Sequence, residues 1–177
     1  MWTQLDCRCG KSRRRHPGAE EPGLQVDVSV IADREDHYDV RRRLHAWRWD
    51  RSEVVLTSGS FDPLRPHHIG YLQECRSFGC HLVVGVDSDS KVRHRKGPGR
   101  PRTIESQRAN AVAALASVDL VVIKPAVWPR WQLIRWLKPD TLVVSMEHYT
   151  SAELDTLRTL CRQLMAWEPH QRIILEW

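Results

Sequence analysis

A doubly wound α/β fold with a parallel sheet, in a single domain, is what this 177-residue sequence predicts. Three observations carry the prediction. Short apolar, β-branched runs recur along the chain. One of them, LVVGV at 82–86, is continuous rather than alternating, which suits a strand covered on both faces. Between the runs lie stretches with helical spacing of apolar residues, so strand and helix alternate. The Gly59 turn and two polar segments fall where strands end, which is where sheets of this kind bind ligands.

Taken in order, residues 1–25 mix Cys, Arg, Pro and Gly without periodicity and are expected as a flexible extension to a domain at 26–177. Val26 to Ala32 reads as a short extended segment. Asp36 to Trp49 reads as an amphipathic helix with Val40, Leu44 and Trp47 on one face and Arg41, Arg42 and Arg48 outward. Glu53 to Thr57 is a buried strand that runs into a tight turn through Gly59. The helix after it, His68 to Phe78, is striped by Ile69, Leu72 and Cys75 and closed by Gly79. His81 to Val86 is the second strand, and Asp87 to Arg102 a long polar loop. Thr103 to Ala116 is a helix capped by Thr103. Leu120–Ile123 and Thr141–Ser145 are strands around a helix at Trp128–Leu137, followed by a helix at Ser151–Met165 and a last strand at Arg172–Leu175. Trp128, Trp131 and Trp136 surround one short helix, where core packing or a homodimer interface explains them better than base stacking.

A net charge of +5 favours anionic ligands such as phosphates. Nucleic acid ranks below them, because the basic residues spread over loops and helices without interleaved aromatics. No apolar run is long enough to cross a membrane and no apolar signal core opens the chain, so the expected location is cytoplasmic. Five cysteines in such a chain predict free thiols, with Cys75, Cys80 and Cys161 as small buried hydrophobes. Cys7, Cys9 and His16 lack a fourth ligand, so no metal centre is expected.

The sharpest signal is Gly59-Ser60-Phe61-Asp62-Pro63-Leu64 followed by His68. This string resembles the first motif of the HIGH-type nucleotidyltransferases, G-[ST]-F-D-x-x-[HT]-x-G-H. A second stretch, Leu82 to Leu115 with its Lys-Gly-Pro-Gly-Arg-Pro loop and Gln107-Arg108, is similar to the nucleotidyltransferase domain of ADP-heptose synthase. The resemblance spans roughly residues 52–150. It implies transfer of a nucleotidyl group from ATP or CTP to a sugar phosphate or polyol phosphate, with Mg²⁺ carried on the nucleotide phosphates. It also implies His68 and Lys96 as catalytic residues, and Gly59, Ser60, Phe61, Asp62, Arg93 and Arg108 as nucleotide-binding ones; Arg65 is expected to act with the catalytic pair, and His67 with the nucleotide-binding set. Gly59 is expected to let the backbone approach the ligand, Lys96 to ride a mobile loop, and Arg108 to fork onto a phosphate.

The chain also departs from the motif. Arg65 stands where the family has its first His or Thr, and His67 where it has Gly. Ser145-Met146-Glu147-His148-Tyr149 replaces Lys-Gly-Gly-Asp-Tyr, and Trp177 falls about where a Ser-Thr-Thr phosphate-binding stretch would follow. A nucleotide-binding regulatory or scaffold protein without turnover is therefore the alternative to an enzyme, and a basic nucleic-acid-binding module ranks third.

Overall fold

Valine-rich strands of five to seven residues build the centre of the molecule: VVLTSG, HLVVGVD, LVVIK and TLVVS. The computed structural model describes residues 30–31, 36–168 and 171–174. The extension expected at 1–25 and most of the segment expected at 26–32 lie outside them. The strands are β1 (Val30–Ile31), β2 (Val54–Gly59), β3 (His81–Asp87), β4 (Leu120–Lys124), β5 (Thr141–Ser145), β6 (Gln163–Glu168) and β7 (Gln171–Ile174). The helices are α1 (Asp36–Trp49), α2 (Pro66–Arg76), α3 (Asp89–Lys96), α4 (Glu105–Ala113), α5 (Gln132–Leu137) and α6 (Ser151–Arg158).

The strands form one sheet in the order β1-β4-β3-β2-β5-β6-β7, parallel throughout except for β7, which pairs antiparallel with β6. The chain moves outward through β2, β3 and β4, then returns to the centre to place β5 on the other side of β2. That reversal opens the carboxyl ends of β2 and β5 toward a shared crevice.

Strand geometry sends neighbouring residues to opposite faces, and both faces are covered. Leu56, Val83, Val122 and Leu142 pack with α1, α5 and α6 through Val40, Leu44, Leu133 and Leu157. Val55, Val84, Val121 and Val143 pack with α2 and α4 through Leu72, Cys75, Ala109 and Val112. Two-sided burial is why these strands read as unbroken apolar runs.

Several expectations need correction. The polar stretch after β3 is not all loop. It begins with α3, whose start is capped by Ser88 Oγ accepting from the Lys91 amide, and only Val92 of that helix is buried. A helix with one apolar contact leaves no periodicity to read. The next helix opens at Glu105 after Ile104, not at Thr103. The helix expected to run to Met165 stops at Arg158, and β6 takes its tail. Leu154, Leu157 and Leu164 fit one helical stripe, and no Gly or Pro marks the break between them. Cys80 is disulfide-bonded rather than free, whereas Cys75 and Cys161 are free thiols. Trp128, Trp131 and Trp136 pack, partly buried, against the α5 side of the core.

Candidate active site

The turn after β2 is shaped by packing between three residues. Phe61 adopts a left-handed backbone (φ 47°) and is buried, which folds its ring back over Gly59. A Cβ on Gly59 would stand 3.0 Å from that ring. The room that glycine provides is thus filled by Phe61. The same ring meets His68 edge-on, with centroids 5.5 Å apart.

His68 sits in the first turn of α2, where the helix's positive end faces the crevice. Its Nδ1 accepts from the Arg65 amide at 3.0 Å, so the ring proton resides on Nε2. Burial, then the neighbouring charges of His67, Arg65 and Lys96, push its pKa down to about 4. At neutral pH the imidazole is an uncharged donor. His67 lies beside it, with ring centroids 4.1 Å apart, and both His67 and Arg65 are exposed at the mouth of the turn.

Lys96, the last residue of α3, reaches across to donate to Ser60 Oγ at 2.8 Å. Burial, Arg95 and Arg100 draw its pKa below the usual lysine value. Arg108 is buried, and its guanidinium is committed within the protein. Nε donates to the Thr103 carbonyl (2.8 Å), one terminal nitrogen to the Ser60 carbonyl (2.6 Å), and the other to Asp89 Oδ1 (2.6 Å). Asp62 makes the reciprocal clamp. Its carboxylate accepts from Arg100 (3.0 Å) and from the amides of Arg102 (2.8 Å) and Thr103 (3.0 Å). Burial raises the Asp62 pKa, but the Arg100 hydrogen bond and the two amides outweigh it and hold the group below the usual carboxylate value. Together these clamps fix the 97–103 loop against the Gly59 turn. Arg93 is exposed on α3 and stands outside this network.

Sequence reasoning missed a further group at the same end of the sheet. Asp87, 1% exposed, ends β3 and pairs with Lys124 of β4 at 3.0 Å and with Arg95 at 3.0 Å. Burial raises its pKa, and Lys124 and Arg95 outweigh that to hold it low. The signal was present, since Asp87 and Lys124 are the charged last residues of two apolar strands in register. Glu105 adds a bond to the Asp89 amide at 2.6 Å, which seats the start of α3. Elsewhere, a hollow of about 510 Å³ lies at the amino ends of β5 and β6, lined by Arg135, Lys138, Cys161 and Arg162 among others. None of the expected site residues lines it, and it sits at the wrong end of a parallel sheet for ligand chemistry.

A parallel sheet, a G-S-F-D turn and a helix-start histidine beside a lysine form one connected arrangement. The profile of the family described as cytidylyltransferase-like matches residues 56–173. The chain belongs to the cytidylyltransferase-like family. Among curated relatives, it is 37% identical over 128 residues to the bifunctional protein HldE of Koribacter versatilis, covering 72% of this chain and 25% of that one. It is 41% identical over 141 residues to the bifunctional protein HldE of Nitrobacter hamburgensis, covering 77% of this chain and 28% of that one. The chain thus spans about a quarter of the length of these relatives. A solved structure, that of the lipopolysaccharide core biosynthesis protein from Thermoplasma volcanium, superposes with a TM-score of 0.59 at 26% identity, covering 68% of this chain and 99% of that one. Membership in this family fits the resemblance carried by the two motifs.

Proposed function

We propose that this cytidylyltransferase-like chain transfers a nucleotidyl group from ATP or CTP to a sugar phosphate or polyol phosphate and releases pyrophosphate. The observation that carries the reading is the state of His68. It is an uncharged Nε2–H donor, oriented by the Arg65 amide at a helix start, with Lys96 close by at the carboxyl end of the sheet.

A phosphomonoester oxygen is already a nucleophile, so no base is needed. The oxygen attacks the α-phosphorus, the bond to the bridging oxygen breaks, and pyrophosphate carries away the electron pair. The protein's work is alignment and charge stabilisation. His68 donates to an α-phosphate oxygen as charge gathers there. Lys96 and Arg65 supply fixed positive charge to the triphosphate, and the backbone from Gly59 to Phe61 lines its path with His67 at the rim. Arg108 and Asp62 serve by holding that backbone, since their own polar groups are bound within the protein. Mg²⁺, carried by the nucleotide's own phosphates, would help to neutralise their charge. Such substrates place the reaction in the cytoplasm. Among the described residues no helix is long and apolar enough to cross a membrane.

A pyrophosphate-release screen crossing the four nucleoside triphosphates with a panel of phosphomonoesters tests the proposal. Release with ATP or CTP and a polyol or sugar phosphate supports it. A second reading, nucleotide binding without turnover, is favoured by Arg65 and His67 standing where the family motif has His or Thr and Gly. Calorimetric binding of a triphosphate with silence across the whole panel selects that reading. Failure of every triphosphate to bind at high micromolar concentration removes both.

A further inference from the structure

The charges around Asp87 do not balance. Its buried carboxylate faces Lys124 at 3.0 Å, Arg95 at 3.0 Å and Lys91 at 4.0 Å. The next carboxylate along the chain, Asp89, is already taken by Arg108 at 2.6 Å. One anion therefore sits among three cations at the carboxyl end of β3 and β4.

The fold builds this cluster deliberately. Lys124 stands opposite Asp87 in the β3–β4 register. Its stem crosses Gly85, where a Cβ would come within 3.0 Å of Lys124 Cδ and 2.6 Å of Ser58 Oγ. The Lys124 side chain is 15% exposed and forms the floor, while Arg95 at 52% and Lys91 at 36% form an open rim on α3. Tyr149, stacked on Trp131 with centroids 5.8 Å apart, lies in electrostatic range of Asp87, Arg95 and Arg130. Gly85 also abuts Leu133, so this group occupies the α5 side of the strand ends. Arg108, which holds the Ser60 carbonyl beside Lys96, belongs to α4 on the other side, while Lys96 itself lies in electrostatic range of Arg95 and Asp87.

We propose that Lys124, Arg95 and Lys91, held in place by Asp87, form a subsite for the acceptor's phosphate, next to the triphosphate site at His68, Lys96 and Ser60. The inference rests on the reading of the chain as a nucleotidyltransferase. That reaction needs two polyanions gripped side by side, and a single cationic patch would let them compete. Asp87 is a positioning residue here: it keeps three like charges together, and a phosphate dianion then balances the excess.

Calorimetric titration of the full chain with inorganic phosphate tests this, with and without a saturating triphosphate. Wild type is expected to bind phosphate under both conditions. Lys124→Met and the more exposed Arg95→Gln should each weaken it about tenfold, the loss of one charge-assisted hydrogen bond. Lys96→Met should weaken it less than either, since Lys96 serves the triphosphate site. Where turnover exists, the first two variants should raise KM for the phosphomonoester and leave KM for the nucleotide alone. Phosphate binding that is absent in wild type, equal in both variants, displaced by triphosphate, or weakened as much in Lys96→Met overturns the proposal. A chain that binds no triphosphate yet loses phosphate affinity in Lys124→Met and Arg95→Gln would retain the subsite and remove the transferase reading. If Lys124→Met fails to fold, Arg95→Gln decides.

Discussion

His68 is uncharged because of its neighbours, and each neighbour follows from a residue choice. Gly59 leaves room for Phe61, Phe61 covers the imidazole, and Arg65 and Lys96 bring like charge toward it. An NMR titration of the imidazole should therefore show a midpoint near 4, and a midpoint near the ordinary 6.5 would contradict this account. The sign for stability follows directly. A histidine with a lowered folded pKa binds its proton more readily when unfolded, so stability falls as pH drops from about 6.5 toward 4 and levels off below. His68→Phe should flatten that slope in urea melts across this window. Gly59→Ala presses a methyl group on the Phe61 ring. It should cost about 1–2 kcal/mol and shift the His68 midpoint upward, as the ring is displaced.

Between elements, the structure is held by two polar clamps that link segments distant in sequence. Arg108 joins α4 to the Gly59 turn, to Thr103 and to the start of α3. Arg108→Met leaves two carbonyls and Asp89 without their donor, and should cost about 3 kcal/mol in urea denaturation. A loss below about 1 kcal/mol would show that the guanidinium is free to serve a ligand instead. Asp62→Ala should release the 97–103 loop, seen as faster amide exchange at Arg102 and Thr103 with little change in β3. These clamps mark the limit of what the sequence discloses. The strands were legible because two-sided burial writes continuous apolar runs. Helix α3 was not, because its stabilising features are a Ser88 cap, a basic final turn and bonds to Glu105 and Asp87, none of which leaves a periodic pattern. Likewise Arg108 reads as a phosphate fork in sequence, and only its burial among three oxygen acceptors shows what it holds.

At the scale of the molecule, the sheet gathers at one end the groups that the proposed chemistry uses. Ser60, His68, Asp87, Lys96 and Lys124 come from the ends of three strands and the helices that follow them. That convergence was legible from the alternation of strands and helices, since carboxyl ends of parallel strands share one edge. The partition of that edge into two cationic groups was not, because it depends on which face each strand-end side chain takes. In the proposed reaction, His68 acts on the transition state rather than on nucleotide binding. Turnover and triphosphate affinity measured side by side in wild type and His68→Ala test it most directly. The account predicts a fall in kcat of roughly a hundredfold or more with affinity nearly unchanged, as for loss of one oxyanion-type donor. An active wild type whose kcat is indifferent to His68→Ala would contradict it.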